Sequence, residues 1–207
     1  RSNSCRIIYA SSSLVYGKPC NFPIAEDFPV SHDGAYATAK LQAEAMLASS
    51  NLDSVALRLF NVYGPQQSDR TVMGKICADA AAGRQSFVRG VSEWERPIDL
   101  VYVRDVAEVI AELATLDAFP EPILNVGSGC SARPTCIADE VLGNRADPAR
   151  WNIPWGVDVG SSSRSALDSV IGCRTVTPLV NGIAETLDWF SSGESRDAGH
   201  CGGPDVI

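Results

Sequence analysis

The stretch CRIIYASSS, residues 5–13, is a run of apolar and β-branched residues that ends in three serines. Such a run predicts a buried β-strand over residues 5–10, because strands that are covered on both faces are apolar at successive positions. Residues 35–49 predict a helix, and SVALRLF at 54–60 predicts a second buried strand. A strand, a helix and a strand in this order predict a βαβ unit, and therefore an α/β fold with a parallel sheet.

The rest of the chain continues this alternation. NVYGPQQ at 61–67 predicts a loop, since Gly-Pro marks a turn. Asp105 and Glu108 have the spacing of a capping box at the start of a helix. Helical spacing over the first helix places Ala37, Leu41, Ala45 and Ala48 on its apolar face. The other predicted elements are helices at 71–82, 135–142 and 179–190 and strands at 98–103 and 122–126.

Composition excludes several classes of protein. The chain has 207 residues and a net charge of −8, without a Lys/Arg-rich run, so it lacks the basic face of a nucleic-acid-binding protein. No apolar run approaches the ~20 residues that span a bilayer, so no membrane association is expected. Seven cysteines without a C-x-x-C pair, and only two histidines, predict no metal site and favour the reducing cytoplasm.

The segment GAYATAK, residues 34–40, places Tyr36 and Lys40 one helical turn apart, on the same face of the predicted helix. A free phenol is a poor base at neutral pH because it titrates near ~10, but an adjacent ammonium group stabilises its anion. A serine at the end of the preceding strand can meet this pair. The combination suits hydride transfer at a carbon that bears oxygen, although the Tyr–Lys spacing alone would also fit an ordinary solvated helix face.

Six motifs together resemble the extended short-chain dehydrogenase/reductases of the NAD-dependent epimerase/dehydratase family, over residues 5–191. They are SSSLVYG, YATAK, LRLFNVYGP, DLVYVRDVAEVI, NVGSG and PLVNGIAETLDWF. The resemblance implies the C-terminal part of a Rossmann-like parallel sheet plus a small α/β substrate-binding region. The implied cofactor is NAD, with NADP not excluded, and the implied substrate is a nucleotide-linked sugar.

The resemblance also implies roles for individual residues. Ser12, Tyr36 and Lys40 match the catalytic serine, tyrosine and lysine. The implied cofactor-binding residues are Ala10, Ser11, Tyr36, Lys40, Phe60 and Val62. The implied substrate-binding residues are Ser12, Ser13, Asn61 and Arg96, with Arg70 and Arg89 as weaker candidates.

Two departures from the family pattern refine this expectation. Dehydratases of the family carry Asp-Glu directly after the catalytic hydroxyl residue, where this chain has Ser13 and Leu14. Epimerisation, or a simple reduction or dehydrogenation, is therefore favoured over dehydration. Family members often have an arginine before the Asp of IDLVYV, where this chain has Ile98, so that Arg96 would have to supply the diphosphate contact by a local shift.

GSGCSA at 127–132 fits the dinucleotide fingerprint, but Pro134 follows two residues later and no second strand ends in an acidic residue at the required distance. We interpret it as a tight turn after a strand. The family's own glycine-rich strand–helix turn would come earlier than Arg1, and we therefore expect that this chain lacks the N-terminal glycine-rich part.

The expected organisation has three parts. Residues 1–66 form the C-terminal portion of a Rossmann-like domain with the catalytic residues, and 67–192 form a mixed substrate-binding region with returning Rossmann elements near 98–126. Residues 193–207 are expected to be a disordered tail. The expected function is epimerisation of a nucleotide-linked sugar through a keto intermediate. Two alternatives to this function remain: a reductase or dehydrogenase, and a non-catalytic remnant. The resemblance also implies a possible homodimer formed through the helix that carries Tyr36.

Overall fold

A computed structural model describes residues 5–84, 95–143, 147–156 and 159–192. The strands are β1 Arg6–Ser12, β2 Asp53–Leu59, β3 Asn61–Tyr63, β4 Ile98–Tyr102, β5 Ile123–Val126 and β6 Ser131–Ala132. The helices are α1 Ala35–Ala48, α2 Val72–Ala81, α3 Val103–Thr115, α4 Pro134–Gly143, α5 Ser165–Ile171 and α6 Leu179–Ser191. Short 3-10 turns occupy Ser13–Tyr16 and Pro148–Arg150. The predicted tail and Arg89 lie outside the described residues.

The first sheet has the order β1-β2-β5, and all its strands are parallel. β1 and β2 are joined through α1, so the predicted βαβ unit and the α/β class are confirmed. In the register between the two strands, Ser11 lies opposite Arg58 and Ser12 lies opposite Leu59. The serines therefore stand at the carboxyl edge of the sheet, where ligands bind in open α/β folds.

The second sheet has the order β3-β4-β6, with β3 parallel and β6 antiparallel to β4. Strand β4 divides the core between its two faces. Leu100 and Tyr102 pack into the cluster that contains α2, α4 and α6, whereas Val101 packs into the cluster around β2, β5 and α3. This alternation follows from the two-residue period of a strand and explains why β4 carries apolar residues at successive positions from Leu100 to Tyr102.

Two sequence predictions about local structure were wrong, and two short elements were missed. The predicted loop at 61–67 begins with β3, because Asn61–Tyr63 pair with Leu100–Tyr102. Helix α3 begins at Val103, so Asp105 is not its capping residue and instead accepts hydrogen bonds from Thr177. Neither α5 nor the two-residue β6 was predicted.

The buried face of α1 also differs from the predicted stripe. Ala37 and Leu41 are buried as expected, but Ala45 and Ala48 are exposed and Glu44 is buried instead. Spacings of four and three residues place positions 37, 41 and 44 on one face. A carboxylate can occupy this face because Arg58 on β2 pairs with it.

No helix among the described residues is long and apolar enough to cross a membrane. Within the same ranges, no three His, Cys, Asp or Glu side chains group closely enough to hold a metal ion.

The division of the chain at residue 66 stays a prediction. β5 pairs in the sheet of β1 and β2, whereas β4 pairs in the other sheet.

Candidate active site

The catalytic serine predicted from the sequence is the last residue of β1. The Ser12 side chain caps the following 3-10 turn, since its Oγ accepts a hydrogen bond of 3.2 Å from the Leu14 N–H. A hydroxyl that accepts one bond keeps its own O–H as a donor. Ser12 is thus fixed at the carboxyl edge of the sheet, with a proton available to donate to a ligand oxygen that binds at this edge.

Tyr36 and Lys40 lie on the first turns of α1, beside the end of β1. The Lys40 Nζ donates a hydrogen bond of 2.8 Å to the carbonyl oxygen of Ala10. It also lies 5.4 Å from the ring centroid of Tyr36 and 5.1 Å from that of Tyr9. The Tyr36 side chain is substantially exposed, although the ring is large and apolar. The backbone of β1 thus holds a cation next to an accessible phenol, which is the arrangement expected from the Tyr–Lys spacing.

The segment that follows β2 contains three further predicted contacts, Phe60, Asn61 and Val62. The Phe60 side chain is buried against Tyr16 and Leu41, so any contact of Phe60 with a ligand would involve its backbone. The Asn61 Nδ2 donates 3.0 Å to the carbonyl oxygen of Asp99 on β4, while the residue remains exposed. Val62 is half-buried and packs against the second core cluster.

The remaining predicted contacts differ in exposure. Ala10 is exposed at the end of β1, and Ser13 is half-buried in the 3-10 turn. Ser11 is buried and donates its hydroxyl to Glu44 rather than facing solvent. Arg96 is exposed two residues before β4, and Arg70 is exposed after β3. The structure brings Ser12, Tyr36 and Lys40 to one edge, and the roles of all these residues stay predictions.

A buried polar network behind the site was missed by the sequence analysis. Arg58 on β2 pairs with Glu44 on α1 at 2.8 Å and lies over the ring of Tyr16, 4.8 Å from its centroid. The Tyr16 hydroxyl donates 2.7 Å to the Asn125 Oδ1. Burial raises the pKa of Tyr16 despite the neighbouring guanidinium. Burial lowers the pKa of Arg58, but hydrogen bonds with Glu44 and Tyr16 outweigh it and the pKa is raised overall.

One sequence signal could have revealed this network. Arg58 is a charged residue inside the apolar run SVALRLF, and a strand buried on both faces leaves a charge no access to water. Such a charge requires a buried partner of opposite sign. Glu44 has the spacing of the buried face of α1, so the partner was available in the sequence.

The GSGCSA turn does not offer its backbone to a phosphate. The N–H groups of Ser128 and Gly129 donate to the carboxylate of Asp99, at 2.7 and 3.1 Å. The two N–H donors that a dinucleotide fingerprint would present are therefore used within the protein. This geometry agrees with the interpretation of the segment as a tight turn after β5.

Comparison with known proteins identifies the family. The profile of the NAD dependent epimerase/dehydratase family matches residues 1–127, which is more than half of the chain. The chain belongs to this family. The sequence-based recognition is confirmed, and an NAD-type cofactor is confirmed at the level of the family.

Relatives in this family include both epimerases and dehydratases. The UDP-glucose 4-epimerase of Mycolicibacterium smegmatis is 28% identical, over 89% of this chain and 62% of its own length. The dTDP-D-glucose 4,6-dehydratase of Mus musculus is 24% identical, over 89% of this chain and 55% of its own. The chain therefore spans less than two thirds of these relatives.

A solved structure supports the same placement. UDP-N-acetylglucosamine 4-epimerase from Methanobrevibacter ruminantium, in complex with UDP-N-acetylmuramic acid, matches with a TM-score of 0.75 and 27% identity. The match covers 90% of this chain and 63% of that chain. The Rossmann-like fold predicted from the sequence is confirmed.

The exposed residues at the carboxyl edge fit part of an NAD site. Lys40 donates one hydrogen bond to Ala10, and an ammonium group has three donors, so two remain to hold ribose hydroxyls. Tyr36 is accessible beside it. The described residues thus fit the end of the cofactor at which hydride transfer occurs.

Proposed function

We propose that this protein epimerises a nucleotide-linked sugar through a keto intermediate, with Ser12, Tyr36 and Lys40 as its catalytic residues. The observation that carries the proposal is the Lys40 ammonium group held by β1 at 5.4 Å from the ring of an exposed tyrosine. The proposal is supported by Ser12, which ends the same strand with its hydroxyl fixed. Membership of the family supplies the class of reaction.

Each residue has a distinct task in this reaction. The phenol oxygen of Tyr36, next to the Lys40 ammonium group, accepts the proton of the sugar hydroxyl that is oxidised. The Ser12 hydroxyl donates a hydrogen bond to the same sugar oxygen and stabilises the charge that develops there. NAD, when bound, supplies the site that accepts the hydride and returns it. The keto sugar rotates in the site so that the hydride returns to the opposite face of the carbonyl carbon. The configuration at that carbon is therefore inverted when Tyr36 returns the proton.

The residues after Ser12 favour epimerisation over dehydration. Eliminating water requires an acid and a base beside the sugar, and this chain has Ser13 and Leu14 in the two positions after Ser12. The side chain of Leu14 is apolar, and the residue is 48% exposed at the open edge. Neither side chain titrates near neutral pH. The substrate contacts we propose are Ser12, Ser13, Asn61 and Arg96.

A labelled substrate tests the proposal. We would mix the polypeptide that contains residues 1–207 with NAD and with UDP-glucose that is deuterated at C4. The sugar would then be followed by NMR. Epimerisation predicts UDP-galactose that retains deuterium at C4 and no net change in NADH absorbance. Loss of water from the sugar, giving a 4-keto-6-deoxy product, would instead establish a dehydratase, the activity named for the mouse relative.

Two further outcomes would overturn the proposal. Net accumulation or consumption of NADH would establish a dehydrogenase or reductase. Calorimetry that detects no NAD binding by that polypeptide would favour a non-catalytic protein. A Lys40→Ala variant is the control for binding, because loss of the ammonium group removes two proposed ribose contacts and is expected to weaken NAD binding about tenfold or more.

A further inference from the structure

The buried ion pair between Glu44 and Arg58 connects α1, which carries Tyr36, to β2, which pairs with the strand that ends in Ser12. The Arg58 Nη2 lies 2.8 Å from the Glu44 Oε2, and the Arg58 Nε donates 3.2 Å to the Glu44 Oε1. These two parallel contacts form a bidentate pair, which fixes orientation as well as distance. Ser11 adds a third contact, because its hydroxyl donates to the Glu44 Oε1.

The position of this pair relates it to the site. Glu44 lies one helical turn beyond Lys40 and two turns beyond Tyr36. Ser11 immediately precedes Ser12 and lies opposite Arg58 across the two parallel strands. The carboxylate of Glu44 is thus bound at once by β1 and by β2. Sliding of α1 along the sheet would break all three contacts.

The other side of Arg58 is equally constrained. Its Nη1 donates 3.1 Å to the carbonyl oxygen of Glu26, and its guanidinium lies over the Tyr16 ring. Tyr16 follows Ser12 by four residues and ends the 3-10 turn that Ser12 caps. Arg58 therefore holds both the strand before Ser12 and the turn after it.

We propose that Glu44 and Arg58 are positioning residues, whose ion pair fixes Ser12 relative to Tyr36 and Lys40 for reaction at one sugar oxygen. This inference rests on the proposed function, since it concerns the same three catalytic residues. The pair lies behind the catalytic residues, with both side chains almost wholly buried. Its effect is therefore on the geometry of the catalytic residues rather than on binding of the substrate.

The alternative is that the pair only stabilises the fold. Replacing a buried ion pair by apolar residues of similar volume is often neutral for stability, whereas removing one partner is strongly destabilising. The double variant Glu44→Leu/Arg58→Met therefore separates the two roles. It removes the contacts with Ser11 and the Tyr16 turn and leaves no unpaired charge.

The kinetic test compares kcat and KM in four proteins, with NAD and UDP-glucose: wild type, the double variant, Tyr36→Phe and Asp79→Asn. A misplacement of about 1 Å costs up to ~100-fold in rate, so the double variant is expected to lose about 10- to 100-fold in kcat while KM changes less than about threefold. Asp79 is the matched control, since it is a buried carboxylate on α2 that pairs with Lys75 and Arg84. Asp79→Asn is expected to lower the urea midpoint and leave kcat unchanged.

A double variant with kcat within about threefold of wild type would overturn the positioning role. If the double variant does not fold, Glu44→Gln replaces it, because it keeps the size of the side chain and loses the charge. The same kinetic criterion then applies to Glu44→Gln.

The experiment also distinguishes this inference from the proposed function. Equal activity of wild type and Tyr36→Phe would refute the proposed function. Hydrogen exchange would then still test whether the ion pair fixes α1 against the sheet. If the pair fixes the helix, amides of α1 are expected to exchange at least about tenfold faster in Glu44→Leu/Arg58→Met than in wild type. Unchanged exchange would overturn the inference.

Discussion

Replacement of Asp99 by asparagine tests how strongly one buried carboxylate holds the loops behind the site. Asp99 is fully buried, and its two oxygens accept five hydrogen bonds. Three come from the backbone N–H groups of Ser128, Gly129 and Ser162, and two from the hydroxyls of Ser128 and Ser162. The carboxylate thus ties β4 to the turn after β5 and to the segment before α5.

The expected loss follows from these contacts. The side-chain oxygen of an asparagine can accept the three bonds from the Gly129 N–H, the Ser162 N–H and the Ser162 hydroxyl. Its NH₂ group then faces the Ser128 N–H, which loses its acceptor. A buried donor without an acceptor costs about 1–3 kcal/mol, and each retained bond loses about 1 kcal/mol when its acceptor is no longer charged. Relief from burying a charge offsets part of this sum, so we expect a net loss of about 3 kcal/mol in the free energy of unfolding.

Urea unfolding measures this loss. With a slope of about 2 kcal/mol per molar, a loss of this size lowers the urea midpoint by about 1.5 M. Asp105→Asn is the matched control, because Asp105 is only half-buried and, within the described part of the chain, accepts hydrogen bonds from Thr177 alone. A shift for Asp99→Asn that is no larger than that of Asp105→Asn would refute the reasoning.

Two further predictions concern stability. Burial raises the pKa of Cys77 to about 12, so above about pH 9 the unfolded chain loses a proton that the native state retains, and stability falls by up to about 1.4 kcal/mol per pH unit. Urea midpoints between pH 8 and about 10.5 should show this slope, and Cys77→Ala should reduce it; equal slopes would contradict the assignment. Gly182→Ala should cost about 1–3 kcal/mol, because the added Cβ would lie 2.9 Å from the Tyr63 Cζ. Gly143→Ala, with no atom within 4 Å of its added Cβ, should lose nothing, and equal losses in thermal unfolding would refute this packing argument.

The sequence predicted those parts of the fold that depend on strong local patterns. The strands β1 and β2 are apolar runs and α1 consists of good helix formers, so their order was sufficient for the βαβ unit. Strand β3 was missed because three residues carry too little periodicity and pair only through β4. Helix α5 was missed for a similar reason, since a seven-residue helix with one buried residue has no recognisable stripe.

The proximity of Tyr36 and Lys40 was predictable from the sequence, whereas their roles stay predictions. Tyr36 and Lys40 are four residues apart, and the helical repeat alone places them together. Glu44 and Arg58 were not predicted, because charged residues are expected at the surface and their pairing depends on how α1 packs on β2. A hydrogen bond from Asn61 to β4 likewise depends on contacts between strands that are 38 residues apart.

The measurement that tests the central claim most directly is the rate of epimerisation of UDP-glucose by Tyr36→Phe and by Tyr9→Phe. Both rings lie close to the Lys40 ammonium group, at 5.4 and 5.1 Å, so the two variants remove a hydroxyl from similar surroundings. If Tyr36 transfers the proton, Tyr36→Phe loses at least about 100-fold in kcat, and Tyr9→Phe retains the wild-type rate within about threefold. Equal rates for the two variants would contradict the assignment of Tyr36 as the acid–base residue.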